Sequence, residues 1–269
     1  MLEKYFSLKN KIAIVTGALG LLGREHCYAL SEAGASVIVC DLNEKECKNF
    51  AEELGNCSIG IGVDITDSAS LHNLLYIIKN NFKGIDILVN NAAVNDKFED
   101  ASSAIELSTF EKYPIERWNH SLNVNLTGLF LCTQVIGSEM ANAGTGSIIN
   151  IASTYGVVAP DQSLYKDGND IQHFYKTVSY PTTKGAVISF TKYLAAYWGN
   201  KGIRVNSLSP GGVENSQDDF FIENYSKKTP LGRMAKPGDY KGALIFLASS
   251  ASSYMTGANL IIDGGFTIW

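Results

Sequence analysis

The chain has 269 residues, enough for one large domain with a substantial core, and its 45% hydrophobic and 18% charged residues are ordinary for a globular protein. Its 27 acids against 22 bases give a formal net charge of -5, without the clustered cationic excess that binds phosphate backbones, so nucleic acid is not an expected partner. No apolar run approaches the roughly 18 to 20 residues that span a bilayer and the N-terminus lacks a signal-peptide layout, so a cytoplasmic protein with no membrane partner is expected.

The first apolar run, "KIAIVTG" (11–17), reads as a strand buried on both faces and leads into "TGALGLLGREHCYAL", a glycine-rich turn feeding a helix over Leu22 to Glu32. Gly17, Gly20 and Gly23 allow a tight turn, close backbone approach to a phosphate and close helix packing, and the helix N-terminus offers N–H groups to a pyrophosphate. The second strand, "ASVIVCD" (35–41), ends in Asp41, 24 residues beyond Gly17 (41 minus 17). A carboxylate there accepts from a ribose 2'-hydroxyl and repels a 2'-phosphate, so NAD is preferred and NADP stays possible. Arg24 reads as a surface or capping group.

A helix over Glu44 to Leu54 follows, and "VDITD" then places Asp64 where a third strand ends, within reach of an adenine amino group. Asp67 fits better than Asp64 as the cap of the next helix, Ser68 to Phe82. Beyond it come the strand "IDILVNNAA" (85–93), a helix over Glu116 to Ala141, the strand "GSIINIAS" (146–153), a helix over Val178 to Trp198, the strand "IRVNSLSPGG" (203–212), a helix over Asp239 to Ser249 and the strand "ANLIIDGG" (258–265). This is repeated β-α-β, which predicts an α/β fold with a doubly wound parallel sheet and helices on both faces.

Two segments break the rhythm. Residues 95–115 and 159–177 are polar, dotted with aromatics and long for connections, and each follows the C-terminal end of a strand, where open parallel sheets bind ligands. Substrate contact and solvated insertion weigh about equally for both. The five cysteines, Cys27, Cys40, Cys47, Cys57 and Cys132, form no Cys-x-x-Cys or Cys/His cluster, so neither a disulfide framework nor a metal site is expected and all five read as small buried hydrophobes.

"SYPTTKGAV" (179–187) sets Tyr180 and Lys184 four residues apart at the mouth of a helix, where they share a face. Spacing alone does not distinguish a catalyst, because Tyr5 and Lys9 have it too, ahead of the first strand. Tyr155, Tyr165 and Tyr175 lack the lysine four residues on.

Taken in order, "TGALGLLG", Asp41, "VDITD", "NNAA", "NVNLTG", "INIAS", "YPTTK", "SLSPGG" and "TGANLIIDGG" resemble the short-chain dehydrogenase/reductases in their classical form, over nearly the whole chain. The resemblance implies a single Rossmann-type domain over residues 1–269 that carries the two insertions, a nicotinamide cofactor, and oxidoreduction of CH–OH groups by Asn125, Ser153, Tyr180 and Lys184. In that assignment Tyr180 exchanges the hydroxyl proton, Lys184 lowers its pKa and holds the cofactor ribose, Ser153 bonds the substrate oxygen, and Asn125 positions a water. A free phenol titrates at about 10, and bringing it about three units lower requires roughly 4 kcal/mol of differential stabilisation of the phenolate. The resemblance also implies cofactor contacts from Leu19, Leu21 and Leu22 beside the three glycines, from Asp64 and Ile65, from Asn91, Ala92 and Ala93, from Tyr180 and Lys184, and from Pro210, Gly211, Val213 and Asn215, with Asn90 bracing its strand.

The sequence departs from the family pattern in four places, the smallest being Ala92-Ala93 where Ala-Gly is usual. Leu21 stands where classical members carry a middle glycine, a spacing that resembles the extended members acting on nucleotide sugars. Ser153 and Tyr180 lie 27 residues apart (180 minus 153), so the second insertion must loop out, and Asn215 replaces a common Thr. The insertion itself looks like that of bacterial oxidoreductases of flagellin modification and nonulosonic-acid pathways. It suggests a sugar-derived substrate, with Asp161, Gln162, Asp167, Asn169, Asp170 and His173 as candidate contacts. An epimerase or dehydratase with transient oxidation is the second enzyme reading, and a cofactor-binding accessory subunit is the non-catalytic one. The family and the apolar C-terminal "GANLIIDGGFTIW" lead to an expected homodimer or homotetramer.

Overall fold

Strand side chains alternate between two faces, and here both faces must be apolar, because the computed structural model, which describes residues 3–96 and 101–269, buries one parallel sheet between two helical layers. A helical turn, α1 (Glu3–Phe6), leads to β1 (Ile12–Thr16), α2 (Leu21–Glu32), β2 (Ser36–Asp41), α3 (Glu44–Leu54), β3 (Ile59–Gly62), α4 (Ser68–Asn81) and β4 (Ile87–Asn90). Next comes α5 (Ala101–Ser108), a helix inside the first long segment that the sequence reading left irregular.

The helix expected over Glu116 to Ala141 is present but broken. It runs as α6 (Ile115–Leu122), a π-turn (Asn123–Gly128), α7 (Leu129–Cys132), a second π-turn (Thr133–Gly137) and α8 (Ser138–Ala143). After β5 (Gly146–Ile151) come α9 (Ser179–Trp198), β6 (Ile203–Pro210), α10 (Asp219–Lys228), α11 (Lys241–Ala248) and β7 (Asn259–Ile262). The sequence reading passed over α10, a short helix whose apolar face, Phe221, Ile222 and Tyr225, packs against Leu164 and Phe266.

All seven strands are parallel, in the order β3-β2-β1-β4-β5-β6-β7. One face of the sheet, with Ala13, Val15, Val37 and Val89, packs against Cys27 and Leu30 of α2 and Leu244 of α11. The other, with Ile14, Ile38 and Leu88, packs against Leu71 and Leu74 of α4 and Leu194 of α9. Because β1 lies between β2 and β4, its neighbours' connections leave in opposite directions and open a crevice beyond the C-terminal ends of β1 and β4.

Asp67 caps α4 by accepting from Ala69 N at 2.9 Å, whereas Asp64 closes a turn by accepting from the Thr66 backbone at 2.8 Å and its hydroxyl at 2.7 Å. Four cysteines are buried as expected, but Cys57 is exposed, in a left-handed turn (φ 57°) with Asn56. No helix among the described residues is long and apolar enough to cross a membrane, and no group of three or more potential metal ligands occurs among them.

On the inner face of α2, His26 is wholly buried and its ring nitrogens lack a well-formed hydrogen bond. Burial, opposed by the neighbouring Asn91 amide, lowers its pKa to about 4. The unfolded imidazole takes up a proton near 6.5 and the folded one only near 4, so the unfolded chain binds more protons in that window and stability is lost as pH falls through it. In urea titrations the wild-type unfolding free energy should fall between pH 6.5 and 4 by about 3 kcal/mol more than that of His26→Leu; parallel curves would contradict this.

Candidate active site

The crevice starts at the turn between β1 and α2. Gly17 has φ 61°, and a Cβ there would lie 2.6 Å from the Ala92 Cα; a Cβ on Gly23 would lie 2.1 Å from the Gly17 carbonyl oxygen. Only glycine lets the turn, the helix and the 91–93 segment approach so closely. Gly20 is the N-cap of α2, and no side chain caps it. The first N–H groups of the helix therefore face the crevice without a protein partner, which makes it an anion site.

Asp41 anchors the rim. Its Oδ2 accepts from Leu19 N at 3.0 Å and its Oδ1 from Leu42 N at 2.8 Å, which leaves lone pairs on both oxygens. Asn91 ties the opposite wall, donating to the Thr16 and Gly17 carbonyls at 3.0 and 2.9 Å. A cavity of about 650 Å³ runs between them, lined by Gly17, Gly20, Leu21, Leu22 and Gly23, by Asp41, Asp64 and Ile65, and by Asn91, Ala92 and Ala93. Leu19 is not part of this lining: its N–H bonds Asp41 and its side chain packs on the core. Arg24 donates to the Leu19 carbonyl at 3.3 Å and lies 4.7 Å from the Phe50 ring, so its charge is occupied beside the loop. Sequence reasoning missed His120, which sits in no recognisable motif, and Asn123, which opens "NVNLTG" but is overshadowed there by Asn125; both line the cavity from the α6 end.

The second cavity, of about 610 Å³, shares Leu22, Asn91, Ala93 and Val94 with the first. Ser153, Tyr180 and Lys184 line it together, as do Pro210, Gly211 and Val213. Ser153 follows β5 and its hydroxyl accepts from Tyr155 N at 3.2 Å. Lys184 is buried, with Nζ donating to the Ile151 carbonyl at 2.7 Å and lying 5.7 Å from the centre of the Tyr180 ring. Burial pushes the Lys184 ammonium down to about 8. It pushes the Tyr180 phenol up, opposed by the Ser153 hydroxyl.

Asn125 sits in the first π-turn, buried below the site. Its Oδ1 accepts from Val94 N at 2.7 Å, and its Nδ2 donates to the Val94 carbonyl at 3.0 Å and the Thr183 hydroxyl at 3.1 Å. Both amide hydrogens are thus used, and one Oδ1 lone pair remains. The 210–213 segment is held by Tyr225, whose hydroxyl accepts from Gly212 N at 2.6 Å, and by Tyr240, whose hydroxyl donates to the Gly211 carbonyl at 3.1 Å. Asn215 is exposed and outside both linings; Ser216 and Gln217 stand at the cavity instead.

The second inserted segment does loop out, and a turn (Gln162–Tyr165) packs Leu164 and Tyr165 near α10. Of its six polar candidates, only His173 lines the cavity. Asp161 pairs with Lys228, Asp170 with Lys166 at 2.8 Å, and Asp167 with His173 at 2.9 Å, while Gln162 bonds the backbone of Lys176. These side chains shape the loop. The first segment contributes Asn95 and Asp96, and Asp96 Oδ2 accepts from the hydroxyls of Tyr113 and Thr177 at 2.6 Å each; residues 97–100 of that segment lie outside the described residues.

Lys176 is the functional candidate the sequence reading passed over. It stands four residues before Tyr180, the mirror of the Lys184 spacing, and its Nζ lies 4.4 Å from the centre of the Tyr180 ring. Aromatic side chains, among them Tyr155, Phe174 and Phe221, form much of the remaining wall.

Comparison with known proteins agrees with this geometry. A family model described as "Enoyl-(Acyl carrier protein) reductase" matches residues 17–267. The D-threitol dehydrogenase of Mycolicibacterium smegmatis is 35% identical, over 98% of this chain and 95% of that protein. The NAD-dependent glycerol dehydrogenase of Listeria innocua is 34% identical, over 99% of this chain and 97% of that protein. The crystal structure of a gluconate 5-dehydrogenase from Burkholderia cenocepacia, in complex with NADP and tartrate, superposes with a TM-score of 0.86 at 29% identity and covers 100% of both chains.

Proposed function

The chain belongs to the short-chain dehydrogenase/reductases, enzymes acting on CH–OH groups, and from that premise we propose that it moves a hydride between a nicotinamide cofactor, NAD in preference to NADP, and the carbinol or ketone carbon of a polyhydroxylated substrate. The observation that carries this reading is the sharing of one cavity by Ser153, Tyr180 and Lys184, open to the glycine-lined crevice. The relatives acting on threitol, glycerol and gluconate support a polyol or sugar-derived substrate, as does the likeness to oxidoreductases of flagellin modification. A cytoplasmic setting is part of the same reading.

The residues present fit a dinucleotide. The uncapped start of α2 would hold the pyrophosphate, Asp41 the adenosine ribose, Asp64 and Ile65 the adenine, and Asn91 with the 210–213 segment the nicotinamide end. When bound, the nicotinamide accepts the hydride from the carbinol or returns it to the ketone. The protein manages the proton: Tyr180 takes it from the hydroxyl in oxidation and gives it back in reduction, while Ser153 hydrogen-bonds the same oxygen.

The Lys184 ammonium, 5.7 Å from the centre of the Tyr180 ring, favours the phenolate and works against the burial that raises the phenol's pKa. Two of its three N–H groups stay available after the bond to Ile151, for the nicotinamide ribose and the phenolate. Asn125 is a positioning residue in this account, since its amide joins the Val94 loop to α9 beneath Tyr180. Self-association would cover apolar side chains left exposed on the surface, Phe130 on α7 and the stacked pair Tyr193 and Tyr197 on α9.

Tyr180→Phe should lower kcat by at least about 10²-fold in a spectrophotometric NADH assay while NADH affinity by fluorescence titration stays within about twofold; near-normal turnover would sink the assignment. In the same titrations Asp41→Asn, which keeps the shape and removes the charge, should shift the NADH-to-NADPH affinity ratio toward NADPH by about tenfold, and an unchanged ratio would argue against a ribose role for Asp41. Light scattering should report a homodimer or homotetramer, with a monomer as the contrary result.

A further inference from the structure

We propose that the substrate carries a carboxylate a few bonds from the reacting carbinol, and that Lys176 and Asn95 hold it. The proposal rests on the oxidoreductase reading and narrows its substrate to hydroxy acids of the aldonate type.

Lys176 Nζ makes one hydrogen bond, to Asn95 Oδ1 at 2.7 Å, and has no ion pair among the described residues. Its side chain lines the catalytic cavity, 4.4 Å from the Tyr180 ring centre and 6.0 Å from that of Tyr155. Half-buried in a largely aromatic wall, the ammonium has given up part of its water, and burial, opposed by the Asp96 charge, lowers its pKa to about 8. At neutral pH it is still mostly charged, with two N–H groups unassigned.

No nearby carboxylate pairs with it, although the Asp96 charge favours the ammonium from a distance. Asp96 is taken up by Tyr113, Thr177 and Ser179 and by Arg117 at 3.8 Å; Asp167 is bound to His173; Asp218 is exposed at the rim. The orientation of Asn95 adds to the case. Because an ammonium only donates, Oδ1 must face Lys176, and the amide N–H groups are left for another acceptor. The Tyr155 hydroxyl, buried on the same cavity beside the Tyr165 hydroxyl, makes no well-formed hydrogen bond among the described residues. Charged and neutral donors thus converge beside the proton-transfer residue. A single ammonium matches the single charge of a carboxylate better than the double charge of a phosphate monoester.

The test uses the dead-end complex of the enzyme with NADH, so that affinity is read without turnover and any influence of Lys176 on the Tyr180 phenol does not enter. Calorimetric titrations compare D-gluconate with D-glucitol and D-threonate with D-threitol, pairs that differ in the acid group. For at least one pair the wild type should bind the acid about tenfold or more tightly than the polyol. Lys176→Gln should lose that preference while keeping its affinity for NADH and the polyol, and Lys176→Arg should retain part of it. Equal affinities within both pairs, a preference that survives in Lys176→Gln, or binding of none of the four compounds overturns the proposal. Failure to bind NADH at all would instead remove the oxidoreductase reading, and this inference with it.

Discussion

A row of buried amides and hydroxyls at the C-terminal ends of the central strands fixes everything built above it. Asn90 of β4 and Asn150 of β5 are register partners, and Asn90 donates to Asn150 Oδ1 at 2.9 Å and to the Thr133 hydroxyl at 3.0 Å. Asn150 donates onward to Thr191 of α9 at 2.9 Å. Each such bond contributes about 1 kcal/mol net, but losing one partner strands a buried polar group at a cost of about 1 to 3 kcal/mol. The row therefore acts less as glue than as a register lock: α9, which carries Tyr180 and Lys184, cannot slide along the sheet without breaking it.

The row also marks where the apolar sheet ends and the polar site begins. Below it, Val89, Ile148 and Ile149 are wholly buried between the helical layers. Above it the chain must hold groups that water would otherwise solvate. Lys184 is tied to the Ile151 carbonyl, Ser153 to the Tyr155 backbone, and Asn125 to both sides of the Val94 peptide. The π-turn around Asn125 sets that amide between the Val94 loop and α9, an instance of the general association of π-bulges with functional sites.

The two lysines beside Tyr180 share an electrostatic position but not a structural one. Lys184 is buried and braced by the backbone of β5, so its charge is fixed in place beside Tyr180. Lys176 sits on the inserted segment, half-buried and bonded to one neutral amide. The segment's other polar groups are spent on its own shape, through Asp161 with Lys228, Asp167 with His173 and Gln162 with the Lys176 backbone. The insertion is thus a scaffold that delivers a few side chains to the cavity rather than a broad polar surface.

The sequence by itself determined what short-range rules control. Buried parallel strands need continuous apolar runs, a glycine-rich turn needs glycines wherever backbones touch, and a helix mouth brings Tyr180 and Lys184 onto one face; each of these shows in the string of letters. Asp67 as the cap of α4 was legible for the same reason, whereas Asn90 as a strand brace followed from the family resemblance. Tertiary structure alone decided the rest. It set α10 in place because Tyr225 found Leu164 and Phe266, which are distant in the chain. It turned Asn215 outward, packed the Leu19 side chain on the core, and left Cys57 exposed. It also set Lys176 over Tyr180, a placement that depends on how a looped-out segment folds against the first insertion and α10. Contacts between segments far apart in sequence leave no periodicity to read, because their energy resides in surfaces that exist only once the sheet has formed.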